Sequence, residues 1–156
     1  MYISDKIKKV TTSSDFVFWT AKVGKDGVCD MAWVSGFIVD EDNERVTFFI
    51  PESFFKHIRS NLLPGLNISL LMVSVKNFES YQIKGNYISH KNSSEENIDY
   101  CRLKVLKAID IVNEMGMKGQ GIFGYLLELP SIAVTFQCRE CYLQTPKPGT
   151  GTKLTD

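Results

Sequence analysis

The sequence predicts a mainly β fold: an antiparallel β-barrel with two flanking helices. Three observations lead to it. Apolar and aromatic runs of strand length recur along the chain, short turn-forming segments separate most of them, and the two amphipathic helical segments stand apart from the strand runs. Strands joined by short turns pair antiparallel, whereas parallel strands need a long crossover. At 156 residues, the chain is expected to form one domain, residues 1–156.

The first three strands are predicted to form a meander. Residues 15–23 are apolar on both faces of a strand, which is typical of a strand inside a barrel or sandwich. The glycine-flanked turn 24–27 leads into a second strand, residues 28–39. The turn 40–43 then leads into a third strand, residues 44–50.

A short amphipathic helix follows the third strand. Pro51 suits a first helical turn, and the Pro64-Gly65 pair ends the segment. Its apolar positions recur at helical spacing: Phe54, Phe55, Ile58 and Leu62. Two further strands are predicted next, a buried one at residues 67–75 and a half-exposed one at 81–89.

A long helix is predicted to begin at a capping box, Ser93 with Glu96, and to end at Gly116. Its apolar residues recur at helical spacing, and Cys101 belongs to that stripe, so we interpret it as a buried thiol. Two last strands are predicted at residues 122–128 and 132–143.

Residues 144–156 are predicted to be an extended tail, because two prolines in this segment lack the amide donor that a sheet needs.

The overall composition excludes several classes of partner. Hydrophobic residues make up 44% of the chain, and 18 basic residues balance 18 acidic ones, so no nucleic-acid partner is predicted. No stretch approaches the ~18 apolar residues that a membrane span needs, and residues 1–10 lack the apolar run of a signal peptide. A cytoplasmic location with free cysteine thiols is therefore expected.

No metal site is predicted. His57 and His90 lie in different predicted elements, and the Cys138–Cys141 pair lacks the second pair of a closed zinc site. On a strand, residues three apart point to opposite faces unless the strand ends or bulges between them. We interpret this pair as two cysteines packed at a seam of the barrel.

The segment 48–59 combines aromatic rings with cations, because a strand bearing phenylalanines runs directly into a helix bearing Lys56 and Arg59. Flavin mononucleotide (FMN) needs both: an apolar wall for its ring, and cations or hydroxyls for its phosphate. On composition alone, the solvated face of an amphipathic helix is the preferred interpretation of the two cations.

Several stretches, in order over most of the chain, resemble the pyridoxamine 5'-phosphate oxidase-like flavoproteins, whose fold is an FMN-binding split barrel. Their order and spacing carry the resemblance, since each stretch alone is degenerate. The stretches are residues 19–21, 25–27, 31–34, 48–51, 59–62, 68–70, 80–85 and 144–149.

The resemblance implies an antiparallel split β-barrel that forms a homodimer and binds FMN at the subunit interface. By this analogy, Phe49, Ile50 and Pro51 border the flavin ring. The phosphate candidates are Ser53, Lys56 and Arg59, with His57 as an alternative to Lys56 because Pro64-Gly65 resembles an insertion that shifts the alignment.

Two functions follow from the resemblance. The first is an FMN-dependent oxidoreductase acting on an unknown small substrate. The second is a non-catalytic split-barrel protein, such as a ligand-binding, stress or sensor module, with weak or no flavin binding. The second is motivated by a departure from the oxidase pattern, since Ser53-Phe54 stands where the oxidase carries an Arg-Lys pair.

Overall fold

The computed structural model describes residues 3–60 and 62–154, which form one antiparallel sheet with helices against it. The strands are β1 (Phe16–Val23), β2 (Cys29–Val34), β3 (Gly36–Val39), β4 (Arg45–Pro51), β5 (Asn67–Ser74), β6 (Ser80–Asn92) and β7 (Ser131–Leu143). The helices are α1 (Asp5–Thr12), α2 (Glu52–Ile58), α3 (Glu95–Glu114) and α4 (Gly119–Phe123), and a 3-10 turn, Gly124–Leu127, follows α4. The strands pair in the order β2-β1-β5-β6-β7-β4-β3. The predicted antiparallel split barrel is confirmed.

The sheet curls so that its two edge strands meet at one residue. Residues 28–39, predicted as a single strand, divide at Ser35: β2 pairs with β1, and β3 pairs with β4. The Ser35 amide donates to the Phe49 carbonyl oxygen at 2.8 Å. Two strands consecutive in the chain therefore form opposite edges of the sheet, which closes the barrel at this point.

The barrel interior is the main hydrophobic core. Alternate residues of each strand point inward, and Phe48 and Phe136 from the neighbouring strands β4 and β7 are fully buried there. Helix α1, which was not predicted from the sequence, contributes Ile7 and Val10 from its apolar side to the same core, and Ile3, just before the helix, joins them. The N-terminal segment thus belongs to the packed domain.

Helix α3 packs against the outside of the sheet. Its N-cap is Ser94, whose side chain accepts from the Asn97 amide at 3.3 Å, so the cap lies one residue beyond the predicted Ser93. Its apolar stripe buries Cys101 as predicted. The helix is followed by Gly116, whose positive φ of 84° suits a residue just beyond a helix C-terminus.

The prediction of a strand at residues 122–128 is wrong, because this segment belongs to α4 and the 3-10 turn. Phe123 and Leu126 pack with the apolar face of α3 in a second hydrophobic cluster. Gly119 lets α4 approach closely, because a Cβ there would lie 2.5 Å from the Ile109 carbonyl oxygen. A short apolar run fits a strand or a buried helical turn equally well, and here contact with α3 decides between them.

Strand β7 ends before the two prolines of the tail, and the chain then turns back along it. The Leu143 amide donates to the Thr152 carbonyl at 2.9 Å, and the Leu154 amide donates to the Cys141 carbonyl at 2.8 Å. The last two residues of the predicted tail and Asn61, from one family-like stretch, lie outside the described residues. Within residues 3–60 and 62–154, no helix is both long and apolar enough to cross a bilayer.

Candidate functional site

The candidate site begins where β4 runs directly into α2. Pro51, which lacks an amide hydrogen, occupies the N-cap position of this helix. The helix turns Phe55 and Ile58 into the barrel core and leaves its polar face in solvent. The three predicted cations, Lys56, His57 and Arg59, are all exposed.

Carboxylates already engage two of the predicted phosphate ligands. The Ser53 hydroxyl donates to Glu128 Oε2 at 3.0 Å, and Lys56 Nζ lies 3.6 Å from Glu52 Oε2. By contrast, the side chains of His57 and Arg59 form no hydrogen bond or ion pair with any residue that the structure describes. The three cations could bind a phosphate group. The phosphate would compete with Glu128 for Ser53 and with Glu52 for Lys56.

The residues predicted to border the flavin ring are buried within the protomer. Phe49 is 0% exposed, and its ring centroid lies 6.4 Å from that of Tyr100 on α3. Ile50 is also 0% exposed and faces the barrel interior, and Pro51 is buried. These three side chains therefore do not fit the role of an open ring wall in a single protomer.

A half-exposed aromatic surface lies elsewhere on the outside of the sheet. We name it the outer row: Trp33, Trp19, Leu71, Gln82 and Tyr142, which lie side by side in register across β2, β1, β5, β6 and β7. The indole rings of Trp19 and Trp33 lie 4.4 Å apart between centroids.

Helix α2 lies close to the outer row. Phe54 of α2 packs against the same buried cluster as Trp19 and Trp33. The sequence did indicate an apolar outer face here, because residues 15–23 are apolar on both faces of the strand and Trp19 belongs to the outward set. The cross-strand neighbours could not be named without the register.

A cavity of about 400 Å³, not predicted from the sequence, opens near one end of the strands. It is lined by Ala21, Lys22, Val23, Cys29, Asn67, Ile68, Ser69, Lys84, Gly85, Arg139 and Glu140. Lys22 is buried, pairs with Asp30 at 2.8 Å and donates to the Ser60 carbonyl at 2.7 Å. Ser60 follows α2, so this cavity adjoins the end of the candidate helix.

A buried cation ties α3 to α1 on the other side of the molecule. Lys104 Nζ donates to the Val10 carbonyl at 3.1 Å and to the Ser13 carbonyl. Burial lowers the pKa of Lys104 to about 8. Burial also raises the pKa of the neighbouring Cys101 to about 12, so this thiol stays protonated and unreactive at neutral pH.

The histidines and cysteines do not assemble into a metal site within the described part of the chain, where no cluster of three or more potential ligands occurs. His90 Nδ1 lies 2.6 Å from the Tyr87 hydroxyl, and its ring lies 4.7 Å from that of Phe55. His57 is exposed on α2.

Comparison with known proteins supports the predicted resemblance through structure alone. No family model matches the chain, and no curated protein matches it in sequence. The crystal structure of HupZ from Group A Streptococcus superposes with a TM-score of 0.55 at 11% identity, covering 96% of this chain and 98% of that one. A putative pyridoxamine 5'-phosphate oxidase from Lactobacillus delbrueckii gives 0.51 at 9% identity, covering 90% and 93%. The chain therefore has the split-barrel fold found in pyridoxamine 5'-phosphate oxidase-like proteins.

Proposed function

We propose that the protein is a homodimeric flavoprotein that binds FMN at its subunit interface. One observation carries the proposal: helix α2 presents Lys56, His57 and Arg59 to solvent beside a half-exposed aromatic surface. A phosphorylated planar ring needs cations at one end and an apolar wall at the other. The fold and the sequence resemblance supply the reason to choose a flavin over other such ligands.

The burial of Phe49 and Ile50 changes where the ring would lie. In this proposal the ring rests on the outer row, against Trp19 or Trp33, and the second subunit covers its other face. The phosphate is held by Arg59 and His57, which have no other side-chain partner among the described residues, and by Lys56 in competition with Glu52.

The proposed dimer interface is the same outer face of the sheet. Met31 on β2 is 62% exposed, and Val23, which lies diagonally from it on β1, is 49% exposed. Trp19 and Trp33 of the outer row pack in part against the cluster that α3 and Phe123 form. Met31, Val23 and the half-exposed parts of the two indoles make up the apolar surface that remains in solvent. A second copy of the chain would remove this surface from water, which favours association.

A bound flavin would supply the hydride or electron chemistry of an oxidoreductase. The chain itself would bind the flavin, orient it and exclude water from its ring. The substrate would be a small molecule that enters beside the ring.

The experiment is an FMN titration of the purified full-length protein, followed by visible absorption and by fluorescence quenching. Saturable binding with a rise in melting temperature is expected, because a ligand at a hundredfold excess over Kd stabilises the folded state by about 2.7 kcal/mol. Anaerobic reduction of bound FMN by a nicotinamide cofactor then tests the oxidoreductase activity. No saturable binding would contradict the flavin proposal.

The second candidate is a non-catalytic split-barrel protein with weak or no flavin binding. It is favoured by the engagement of Ser53 with Glu128 and by the complete burial of Phe49 and Ile50. On this hypothesis FMN produces no thermal shift. Binding without reduction would instead indicate a flavin carrier or sensor.

A further inference from the structure

A β-bulge on β7 turns both cysteines of the Cys138-Arg139-Glu140-Cys141 segment into the barrel. Cys138 pairs with Gly85, whereas Glu140 pairs with Lys84, so Arg139 is the extra residue in the ladder. Without the bulge, side chains three apart would point to opposite faces of the sheet. With it, Cys138 and Cys141 are 1% and 0% exposed in the same core.

The two thiols are in direct contact. Their Sγ atoms lie 3.6 Å apart. A disulfide bond is about 2.05 Å long, so its formation needs the sulfurs to approach by roughly 1.5 Å. The sulfur hydrogen bond from Cys141 lowers the pKa of Cys138, which favours a thiolate at that position.

We propose that Cys138 and Cys141 form a reversible dithiol–disulfide site whose oxidant is a low-molecular-weight disulfide. The Cys138 thiolate attacks the oxidant, which forms a mixed disulfide and releases the first small thiolate. The Cys141 thiol then loses its proton and attacks the Cys138 sulfur, which releases the second small thiolate. The protein loses two protons and two electrons, and the oxidant is reduced to two thiols.

The surroundings of the bulge give an oxidant a route to the buried pair. A bulge disrupts the ladder, so local opening is easier there than in a continuous strand. On the outer side, Arg139 and Glu140 line the 400 Å³ cavity together with Lys84. Two of these three side chains are cations, so the cavity suits an oxidant that carries carboxylates, such as oxidised glutathione.

The test uses the double variant Cys29→Ser/Cys101→Ala, in which the proposed pair supplies the only thiols. The folded variant is incubated to equilibrium with oxidised glutathione, denatured in acid, alkylated and weighed by mass spectrometry. Before oxidation both thiols should be alkylated. After oxidation neither thiol should be alkylated, and the intact mass should be lower by two hydrogens than that of the reduced, unalkylated protein. A reductant should restore both thiols.

Two outcomes would overturn the proposal. One is a pair that remains fully alkylatable, and the other is a glutathione adduct that persists at equilibrium while the second thiol stays free. The control adds Cys141→Ala, which should stop the reaction at a glutathione adduct on Cys138 or leave the protein unmodified.

If a variant fails to fold, the same question can be answered with the wild-type protein. Peptide mapping of oxidised wild-type protein should show a Cys138–Cys141 linkage, with circular dichroism showing that the sheet persists. A linkage through Cys29 or Cys101 instead would refute the site.

Discussion

The Ser35 amide donates a hydrogen bond to the Phe49 carbonyl oxygen at 2.8 Å, at the point where the two edges of the sheet meet. The Ser35 hydroxyl also donates to the Leu126 carbonyl at 3.0 Å, in a buried position. One residue thus joins β2, β4 and the 3-10 turn. The barrel is closed here by a single residue rather than by a continuous ladder, as its split architecture requires.

Substituting Ser35→Ala should lower the free energy of unfolding by about 1 to 3 kcal/mol, because it leaves the buried Leu126 carbonyl without its donor. Urea denaturation measures the loss. The matched control is Ser53→Ala, which removes the exposed contact with Glu128 and should cost less than about 0.5 kcal/mol. Equal losses in the two variants would contradict the structural role of Ser35.

Substituting Gly85→Ala should destabilise the sheet at the bulge. A Cβ at this position would lie 2.0 Å from the Gln137 carbonyl oxygen, so the backbone of β7 must shift. We expect a loss of at least about 1 to 3 kcal/mol in thermal or urea unfolding. Gly121→Ala is the control, because its Cβ would meet no atom within 4 Å and alanine favours the helix.

Removing cations from α2 should weaken FMN binding if the phosphate lies there. We expect Arg59→Ala and Lys56→Ala each to weaken binding by about 1 to 3 kcal/mol, measured by fluorescence titration. Lys9→Ala, which removes an exposed cation from α1, should leave binding unchanged. Unaltered affinity in both α2 variants would remove these residues from the site.

Placing a charge on the outer face of the sheet should disrupt the proposed dimer. Met31→Lys would bury an unpaired ammonium in the proposed interface, which is costly. We expect the dimer dissociation constant to rise at least about tenfold, or about 1.4 kcal/mol, by sedimentation or light scattering. Phe78→Lys is the control: this side chain is 66% exposed but lies in the turn between β5 and β6. A monomeric wild-type protein would contradict the interface itself.

The buried Lys104 should make stability rise with pH above about 8. Its folded pKa of about 8 lies below the ordinary value of 10.5, so between these values the unfolded state binds more protons. Stability from this group therefore increases as pH rises from about 8 to 10.5.

Nearby groups oppose this trend at higher pH. The pKa of Cys101 is raised to about 12 from 9.0, so above pH 9 the folded state holds the extra proton and stability falls. Burial raises the pKa of Tyr100 in the same direction. Because Lys104 also lowers the pKa of Cys101, the lysine is isolated by comparing Lys104 with Lys104→Met in a Cys101→Ala background. The unfolding free energy of the chain with Lys104 minus that of the chain with methionine should increase from pH 8 to 10.5, and a constant difference would contradict the buried cation.

Where the local pattern of a segment agrees with its final packing, the secondary structure of that segment could be predicted from the sequence alone. Strand β1 and helix α3 lie close to their predicted bounds because period-two and helical patterns depend only on which face each residue presents. The apolar outward residues of β1 likewise indicated that another part of the protein packs against its outer face. The exposed cations of α2 were predicted for the same reason.

Only the tertiary structure decided how distant segments meet. It divided residues 28–39 at Ser35, made residues 122–128 helical against α3, and turned Cys138 and Cys141 to the same side. It also buried Phe49 and Ile50, which the resemblance had assigned to a ligand. Register, bulges and contacts between segments far apart in the chain depend on packing energies that no local periodicity encodes.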